Sequence, residues 1–409
     1  MSSAELRHED KSRRSFYLAA VVVALGGVLF GYGTAGLSGA ILFMSRVFRL
    51  SANGVQVVTS LVIIGGILGS AVAGWMGDRY GRRTSLILGA GIFALGSLVT
   101  ALSGSIVWIG IGRWITGVGV GITSVNTPLY LSEMAPPDLR GSVVSFNQIA
   151  LTLGILGAYL VGYALSGTGD WRWMIGVGAG PAVILGIGMV FLPESVRWLV
   201  KHGELSRARA ALSRFRPSAE VEDELADIQM TMQHHADSLS QLWCPALRIP
   251  LVIGVGLAVW QQVTGINAVI FYAPMILESV GLASAGKALL ASSIVGIINV
   301  LATVAAAWLL DRVGRRPLLL VGLAGMAVGM AILILGFRWL GIASFSKPIA
   351  LGGLVLYVIS FAIGLGPVFW LLISSRLRPL VSGTRKYEKT QAAAHRTPYI
   401  RNVAGRPTD

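Results

Sequence analysis

The sequence has a single cysteine, Cys244, among 409 residues, so an intramolecular disulfide bond is excluded. It also has no Cys-x-x-Cys pattern and no cluster of His and Cys that would indicate a metal site. Charged residues are only 13% of the chain, about half of their usual share in a soluble globular domain. None of the five histidines lies in a long apolar run, which excludes a histidine proton relay inside a membrane. The chain that remains is 54% hydrophobic, which is typical of an integral membrane protein.

Ten apolar runs are long enough to cross a bilayer, which takes about 20 residues of helix. They cover residues 16–40, 55–76, 84–103, 106–129, 143–165, 173–192, 250–277, 287–309, 317–337 and 349–374. Two runs hold Gly-rich stretches, at 64–69 and 117–121, that resemble phosphate-binding loops. Neither stretch follows a strand, so we interpret both as positions where helices pack closely.

A basic turn occurs twice, each time between two apolar runs. Residues Gly77 to Arg83 read GDRYGRR, and Leu310 to Arg316 read LDRVGRR. This repeat indicates a duplicated membrane protein whose halves can move against each other. Between the sixth and seventh runs, apolar residues of a long polar segment recur at spacings of three and four, which predicts two short amphipathic helices. Those residues are Leu205, Ala208, Leu212 and Phe215, then Val221, Leu225, Ile228 and Met232.

The net charge of +14 would fit nucleic-acid binding, but the basic residues lie in loops and at the two ends of the chain. If the N-terminus is cytoplasmic, the cytoplasmic loops carry 18 Lys and Arg residues and the outer loops carry 6. The positive-inside rule therefore predicts a multi-pass protein of the cell membrane with a cytoplasmic N-terminus and no nucleic-acid partner. We interpret the linker arginines as a solvated or headgroup-facing surface; they are Arg207, Arg209, Arg214 and Arg216.

Several motifs, in this order, resemble the signatures of the sugar porter branch of the major facilitator superfamily. They are Gly77–Arg83, Gly112-Arg113, Glu133 with Arg140, Pro193–Leu199 (PESVRWL), Gln261–Asn267 (QQVTGIN) and Gly366–Trp370. The resemblance covers about residues 16 to 374. It implies an all-α membrane protein with the major facilitator fold, which carries a small-molecule sugar through the lipid bilayer as a monomer, without enzyme activity or a cofactor.

The spans and the resemblance together predict four parts. Residues 1–192 form a six-helix N-terminal bundle, 193–249 a cytoplasmic helical linker, and 250–374 an incomplete C-terminal bundle of four spans. Family members have twelve spans, and the family pattern stops at Ser374. Residues 375–409 form a basic tail that we expect to be disordered, and our hypothesis is that a reading-frame change replaced the last two spans. A naturally basic tail is the alternative.

A sugar site in a membrane needs amide and hydroxyl groups for the sugar hydroxyls and an aromatic face for the sugar ring. By resemblance, polar and aromatic residues of several spans line a central cavity. They are Gln148, Gln261, Gln262, Asn267, Asn299 and Trp370, with Phe30 and Tyr272 as gating or stacking aromatics. The alternative for each amide is a hydrogen bond that joins two helices, and for the two aromatics it is ordinary packing.

Charged residues at the predicted cytoplasmic face imply, again by resemblance, a network that holds the protein closed to the inside. They are Asp78, Arg82, Glu133, Arg140, Glu194 and Arg197, with Asp311, Arg315 and Arg316 in the second half. From its position at the end of a span, Asp78 can accept hydrogen bonds from the N-terminus of a neighbouring helix. A plain positive-inside role is the alternative.

The first span departs from the proton-coupled sugar porters. Those proteins carry an Asp that pairs with the Arg of span four, whereas the matching position here is Gly33. Arg113 therefore lacks that partner, and we expect it to lie close enough to the outer end of its helix to reach water. Facilitated transport of a monosaccharide is the better interpretation. The alternatives are a proton symporter with another proton carrier, and a sugar-binding sensor or remnant that does not transport.

Overall fold

The computed structural model describes residues 3–136, 140–216, 218–233, 245–279, 284–338 and 346–366, and these ranges contain helices and no strand. The N-terminal half contains α1 (Ser3–Val47), α2 (Ala52–Tyr80), α3 (Arg82–Leu102), α4 (Ile106–Met134), α5 (Arg140–Ala164), α6 (Trp171–Gly176) and α7 (Ala179–Val190). The polar segment contains α8 (Val196–Lys201), α9 (Leu205–Ser213) and α10 (Ser218–Gln233). The C-terminal half contains α11 (Pro245–Val263), α12 (Ile266–Ser279), α13 (Ala285–Val313), α14 (Arg315–Arg338) and α15 (Ser346–Ile363).

Within these ranges, nine helical stretches are long and apolar enough to span a membrane, and they coincide with the first nine predicted runs. Two of the nine are interrupted: α6 and α7 together make the sixth span, and α11 and α12 make the seventh. The tenth predicted run begins as α15. Its last residues, 367–374, and the predicted tail at 375–409 lie outside the part of the chain that the structure describes.

The Gly-rich stretches are positions of close helix packing, as predicted. A Cβ atom on Gly65 of α2 would lie 2.2 Å from the carbonyl oxygen of Trp114 in α4. Likewise, a Cβ atom on Gly117 of α4 would lie 2.2 Å from the carbonyl oxygen of Val62 in α2. Only glycine allows two backbones to approach this closely.

The two basic turns have the same backbone conformation, which agrees with the internal repeat seen in the sequence. Gly81 joins α2 to α3 with φ 94° and ψ 157°, and Gly314 joins α13 to α14 with φ 86° and ψ 167°. Both values of φ lie in a region that residues with a Cβ atom rarely adopt. Each glycine therefore permits one sharp turn between two consecutive spans.

The linker helices pack against the N-terminal half. Phe215, just after α9, makes an edge-on contact with Phe16 of α1, with ring centroids 6.3 Å apart. Val221, Leu225 and Ile228 of α10 are buried in the same cluster. The predicted amphipathic helices are thus confirmed, and their apolar faces extend the core of the first bundle beyond the membrane spans.

Candidate functional site

A cavity of about 130 Å³ lies between the two halves of the protein. Helices of both halves contribute to its wall: α1, α4 and α5 from the first, and α11, α12 and α15 from the second. Five of the eight predicted substrate residues meet there, namely Phe30, Gln148, Gln261, Gln262 and Asn267. Side chains far apart in sequence are therefore brought to one site at the interface of the halves.

The second half contributes its amides from a break in span seven. Gly265 adopts φ 81° between α11 and α12, and Gln261, Gln262 and Asn267 flank it. Because the helix is interrupted, the carbonyl oxygen of Thr264 becomes available, and the hydroxyl of Tyr357 in α15 donates to it at 2.6 Å. Discontinuous helices of this kind commonly form substrate sites in transporters.

The cavity amides hold one another in position. The amide nitrogen of Asn267 donates to the side-chain oxygen of Gln262 at 2.6 Å, and that of Gln261 donates to the carbonyl oxygen of Leu365 at 3.2 Å. Gln148 is 8% exposed and faces the same space from α5. Each side-chain amide carries two donor hydrogens and an acceptor oxygen, so these contacts leave groups for a ligand.

Sequence reasoning missed several cavity residues, and Asn147 and Phe361 are the two that bear on sugar chemistry. The side-chain oxygen of Asn147 is buried and has no hydrogen-bond partner among the described residues. Its position next to Gln148 in an apolar run was the available signal, because two adjacent amides are unusual in a membrane span. Phe361 of α15 adds an apolar ring to the wall. No pattern in the sequence distinguishes it from a residue of the core.

Three predicted substrate residues do not line this cavity in the described structure. Asn299 lies in a separate, smaller cavity, and Ile155 and Ile270 line both. Tyr272 packs against the C-terminal part of α1, in a cluster with Ile41. Trp370 lies outside the described residues.

Arg113 of α4 is a buried cation. It is only 2% exposed, and its Nη2 donates to the carbonyl oxygen of Gly33 at 3.0 Å. Its Nε has no hydrogen-bond partner in the described ranges. The expectation that Arg113 reaches water is therefore wrong, because the side chain packs towards α1 instead of the helix end. A Cβ atom on Gly33 would lie 2.7 Å from Val120, so a larger side chain there requires its neighbours to move.

A charged cluster joins the turn between α2 and α3 to the end of α4. Arg82 donates to Asp78 at 2.8 Å and to the carbonyl oxygen of Gly77 at 2.7 Å, and its Nε lies 3.3 Å from Glu133. The hydroxyl of Ser195 also donates to Glu133. Three of these five residues, Asp78, Arg82 and Glu133, were predicted as gate residues, and the structure places Arg82 in contact with the other two.

Glu194, not Asp78, accepts hydrogen bonds at the N-terminus of α3. Its carboxylate accepts from the backbone N–H of Arg83 at 2.9 Å and of Ser195 at 2.8 Å. The carboxylate fits because Gly81 has no side chain: a Cβ atom there would lie 2.2 Å from Glu194 Oε2. Asp78 is instead exposed beside Arg82. The helix end thus receives its negative charge from a residue far away in sequence.

Burial raises the pKa of the Glu194 carboxyl above its ordinary value, and the backbone hydrogen bonds oppose that shift only in part. The folded protein therefore binds this proton more tightly than the unfolded chain does. The resulting stabilisation is fully present below the unfolded pKa and is lost as the pH rises through the raised pKa. As the pH rises from the ordinary carboxyl pKa through the raised one, we expect the native protein to lose thermal stability relative to Glu194→Gln. The opposite trend would show that the backbone hydrogen bonds outweigh burial.

The other predicted gate residues are only partly described. Arg197 is exposed at the start of α8. Arg315 and Arg316 begin α14 after the second basic turn. The side chains of Arg140 and Asp311 lie outside the described residues.

Comparisons with known proteins identify the family of this chain. A family model described as "Sugar (and other) transporter" matches residues 19–382. The D-xylose transporter of Levilactobacillus brevis is 40% identical over 354 residues, which are 86% of this chain and 77% of that protein. The galactose-proton symporter of Escherichia coli K12 is 37% identical over 383 residues, 93% of this chain and 82% of that protein.

Solved structures give the same result for the fold. The xylose transporter XylE of E. coli, in a partially occluded inward open conformation, matches with a TM-score of 0.77 and 31% identity over 88% of this chain and 85% of that one. XylE bound to 6-bromo-6-deoxy-D-glucose matches with a TM-score of 0.74. These relatives are transporters and not enzymes. The chain is therefore a multi-pass sugar transporter that belongs to the sugar porter family of the major facilitator superfamily.

Proposed function

We propose that this protein carries a monosaccharide across the cell membrane by alternating access, as a facilitator, with its N-terminus in the cytoplasm. The observation that carries the proposal is the amide-lined cavity between the halves, at the break of span seven. In alternating access the two halves rock around such a site and expose it to each side in turn.

The cavity has the chemistry that a neutral sugar needs. Gln148, Gln262 and Asn147 offer donors and acceptors to sugar hydroxyls, and the unpartnered oxygen of Asn147 would accept one directly. Phe30 and Phe361 offer ring faces to the apolar C–H surface of a sugar. No charged side chain lines the cavity in the part of the chain that is described, which favours an uncharged substrate over a sugar acid or phosphate.

The halves touch at their outer ends, which supports an outer-closed state. Arg46 at the end of α1 pairs with Glu278 at the end of α12 at 2.9 Å. Leu289 of α13 lies beside two glycines of the first half. A Cβ atom added to Gly39 would lie 3.1 Å from Leu289, and one added to Gly162 would lie 3.3 Å from Leu289. These contacts must separate when the cavity opens outward.

Gln262 is the best single test of the site. We expect Gln262→Ala to weaken sugar binding by about 1 to 3 kcal/mol, because a sugar contact is lost and Asn267 loses the acceptor of its hydrogen bond. The measurement is the dissociation constant of a labelled monosaccharide for purified protein. Gln56→Ala, an exposed amide of α2 away from the cavity, is the matched control. Equal binding by both variants would reject the site.

The surroundings of Arg113 support facilitated transport. The described structure gives this cation a carbonyl oxygen at Gly33 and no carboxylate, so no acid beside it can load and release a proton. We expect sugar uptake into vesicles to be the same with and without an imposed pH gradient. Accumulation that the gradient drives, and that a protonophore abolishes, would favour the second candidate.

The second candidate is proton symport, and the similarity to a galactose-proton symporter favours it. It would require a proton carrier other than an acid at position 33. The same uptake experiment separates the two candidates, since a facilitator equilibrates the sugar but does not concentrate it. Sugar counterflow without any gradient tests transport itself.

A further inference from the structure

A second pocket, distinct from the central cavity, lies at the predicted cytoplasmic end of span six. Three arginines line it: Arg83 in the first turn of α3, Arg207 in α9, and Arg214 immediately after α9. Glu194 and Leu199 complete the wall on the side of the basic turn. The pocket is an open cleft of about 240 Å³, enough for a charged group larger than a single ion.

The pocket carries an excess of positive charge. Arg83 donates to the carbonyl oxygens of Met189 and Val190, and Arg214 donates to that of Phe191. These acceptors are uncharged, so they orient the two guanidinium groups without neutralising them. A guanidinium group has five N–H donors, so both keep donors for a further acceptor.

The two carboxylates near the pocket do not cancel its positive charge. Glu204 pairs with Arg207 in an exposed contact. Glu194 directs its carboxylate at the backbone N–H groups of Arg83 and Ser195, and the three guanidinium groups still outnumber the two carboxylates. Among the described residues, the pocket therefore favours an anion, and guanidinium groups bind phosphate well.

An exposed apolar face of α7 leads to this pocket. It consists of Val183, Ile184, Ile187, Val190 and Phe191, each at least half exposed, and the last of them is 71% exposed. Their spacing places them on one side of the helix, and Arg83 and Arg214 bind the carbonyl groups of Val190, its last residue, and of Phe191, the next residue. Because α7 belongs to a membrane span, this face contacts acyl chains and ends at the depth of the lipid headgroups.

We propose that the pocket of Arg83, Arg207 and Arg214 binds the phosphate of an anionic phospholipid whose acyl chains lie along the exposed face of α7. The exposed apolar face of α7 leads directly to the arginines. This favours a lipid over a soluble phosphate, because one lipid molecule can contact the apolar face with its acyl chains and the arginines with its phosphate. Basic pockets at the cytoplasmic ends of spans suit anionic headgroups. A lipid bound there touches the helix end that Glu194 caps, so it would stabilise the arrangement of the basic turn.

The test measures lipid binding to the full chain by native mass spectrometry, with phosphatidylglycerol and phosphatidylcholine compared. The native protein should prefer phosphatidylglycerol. Arg207→Gln combined with Arg214→Gln should weaken phosphatidylglycerol binding by about 5- to 30-fold and change phosphatidylcholine binding little. Arg209→Gln is the matched control, since Arg209 is on the same helix but pairs with Glu222 outside the pocket.

Three outcomes would overturn the assignment. Equal loss in the double variant and in Arg209→Gln would show that only the overall charge of the linker matters. Displacement of the lipid by millimolar inorganic phosphate, with phosphate itself bound, would identify a soluble ligand. If the double variant is unstable in a thermal melt, Arg207→Gln alone decides, because that exposed side chain has no buried contact. An unchanged lipid preference in this single variant would reject the proposal.

Discussion

Replacing Gly162 with Trp should lower sugar uptake by about tenfold or more, because the variant cannot close its outer side. In the structure, Leu289 lies against Gly162 of α5 and Gly39 of α1 where the halves meet. A Cβ atom at position 162 would already lie 3.3 Å from Leu289, so an indole ring has no room while the outer ends touch. Transport requires both the open and the closed outer side, so a protein held open binds sugar without delivering it.

The measurement combines uptake with accessibility of the cavity. The chain has one cysteine, so Cys244→Ser gives a cysteine-free background, and Thr34→Cys places a label site in the cavity wall. Gly162→Trp should react faster with a reagent added outside. Gly157→Trp is the matched control, because a Cβ atom at Gly157 on the same helix meets nothing within 4 Å. Normal uptake by Gly162→Trp would show that the outer contact never forms during transport.

Replacing Glu133 with Ala should lower the free energy of unfolding by about 2 to 4 kcal/mol. The Glu133 side chain is 9% exposed and that of Arg82 is 13% exposed, so the arginine would remain mostly buried without this partner. The hydroxyl of Ser195 would lose its acceptor in the same step. Because these groups join the basic turn to the end of α4, we also expect slower uptake by the folded variant.

The control for this prediction is an exposed ion pair of the linker. Arg209 and Glu222 have side chains that are 58% and 62% exposed, so Glu222→Ala should cost about 1 kcal/mol or less. Unfolding is measured for both variants by titration with a denaturing detergent. If the two variants lose the same stability, the Glu133 cluster is no more than a surface network, and its proposed part in the gate is wrong.

The spans, the repeat and the amphipathic linker could be predicted because each depends on a local pattern. The length of an apolar run predicts a membrane helix, and the spacing of apolar residues predicts an amphipathic helix. The turn at Gly81 recurs at Gly314 with the same backbone, as the repeated letters indicated. The amides of α11 and α12 could also be placed at a site, because uncharged polar groups are costly in a membrane unless they are used.

The remaining features depend on which helices touch, and sequence does not show this. Glu194, and not the predicted Asp78, accepts hydrogen bonds at the N-terminus of α3, because the chain returns to the turn between α2 and α3 after span six. Arg113 is buried because α1 packs over it. Asn299 faces a separate cavity because Ile155 and Ile270 lie between it and the main one. These positions depend on tertiary contacts. The family resemblance indicated which residues to consider, but it gave no distances between them.

The break at Gly265 puts two distant functions on one helix. Asn267 in the first turn of α12 lines the cavity, and Glu278 in its last turn bonds to Arg46 across the outer contact. On our proposal, a sugar that binds Asn267 would therefore also act on the position of Glu278 through α12. Linkage makes this effect mutual: by whatever factor a closed outer side strengthens sugar binding, bound sugar strengthens closure by the same factor. The substrate would thereby act as the ligand that closes its own entrance.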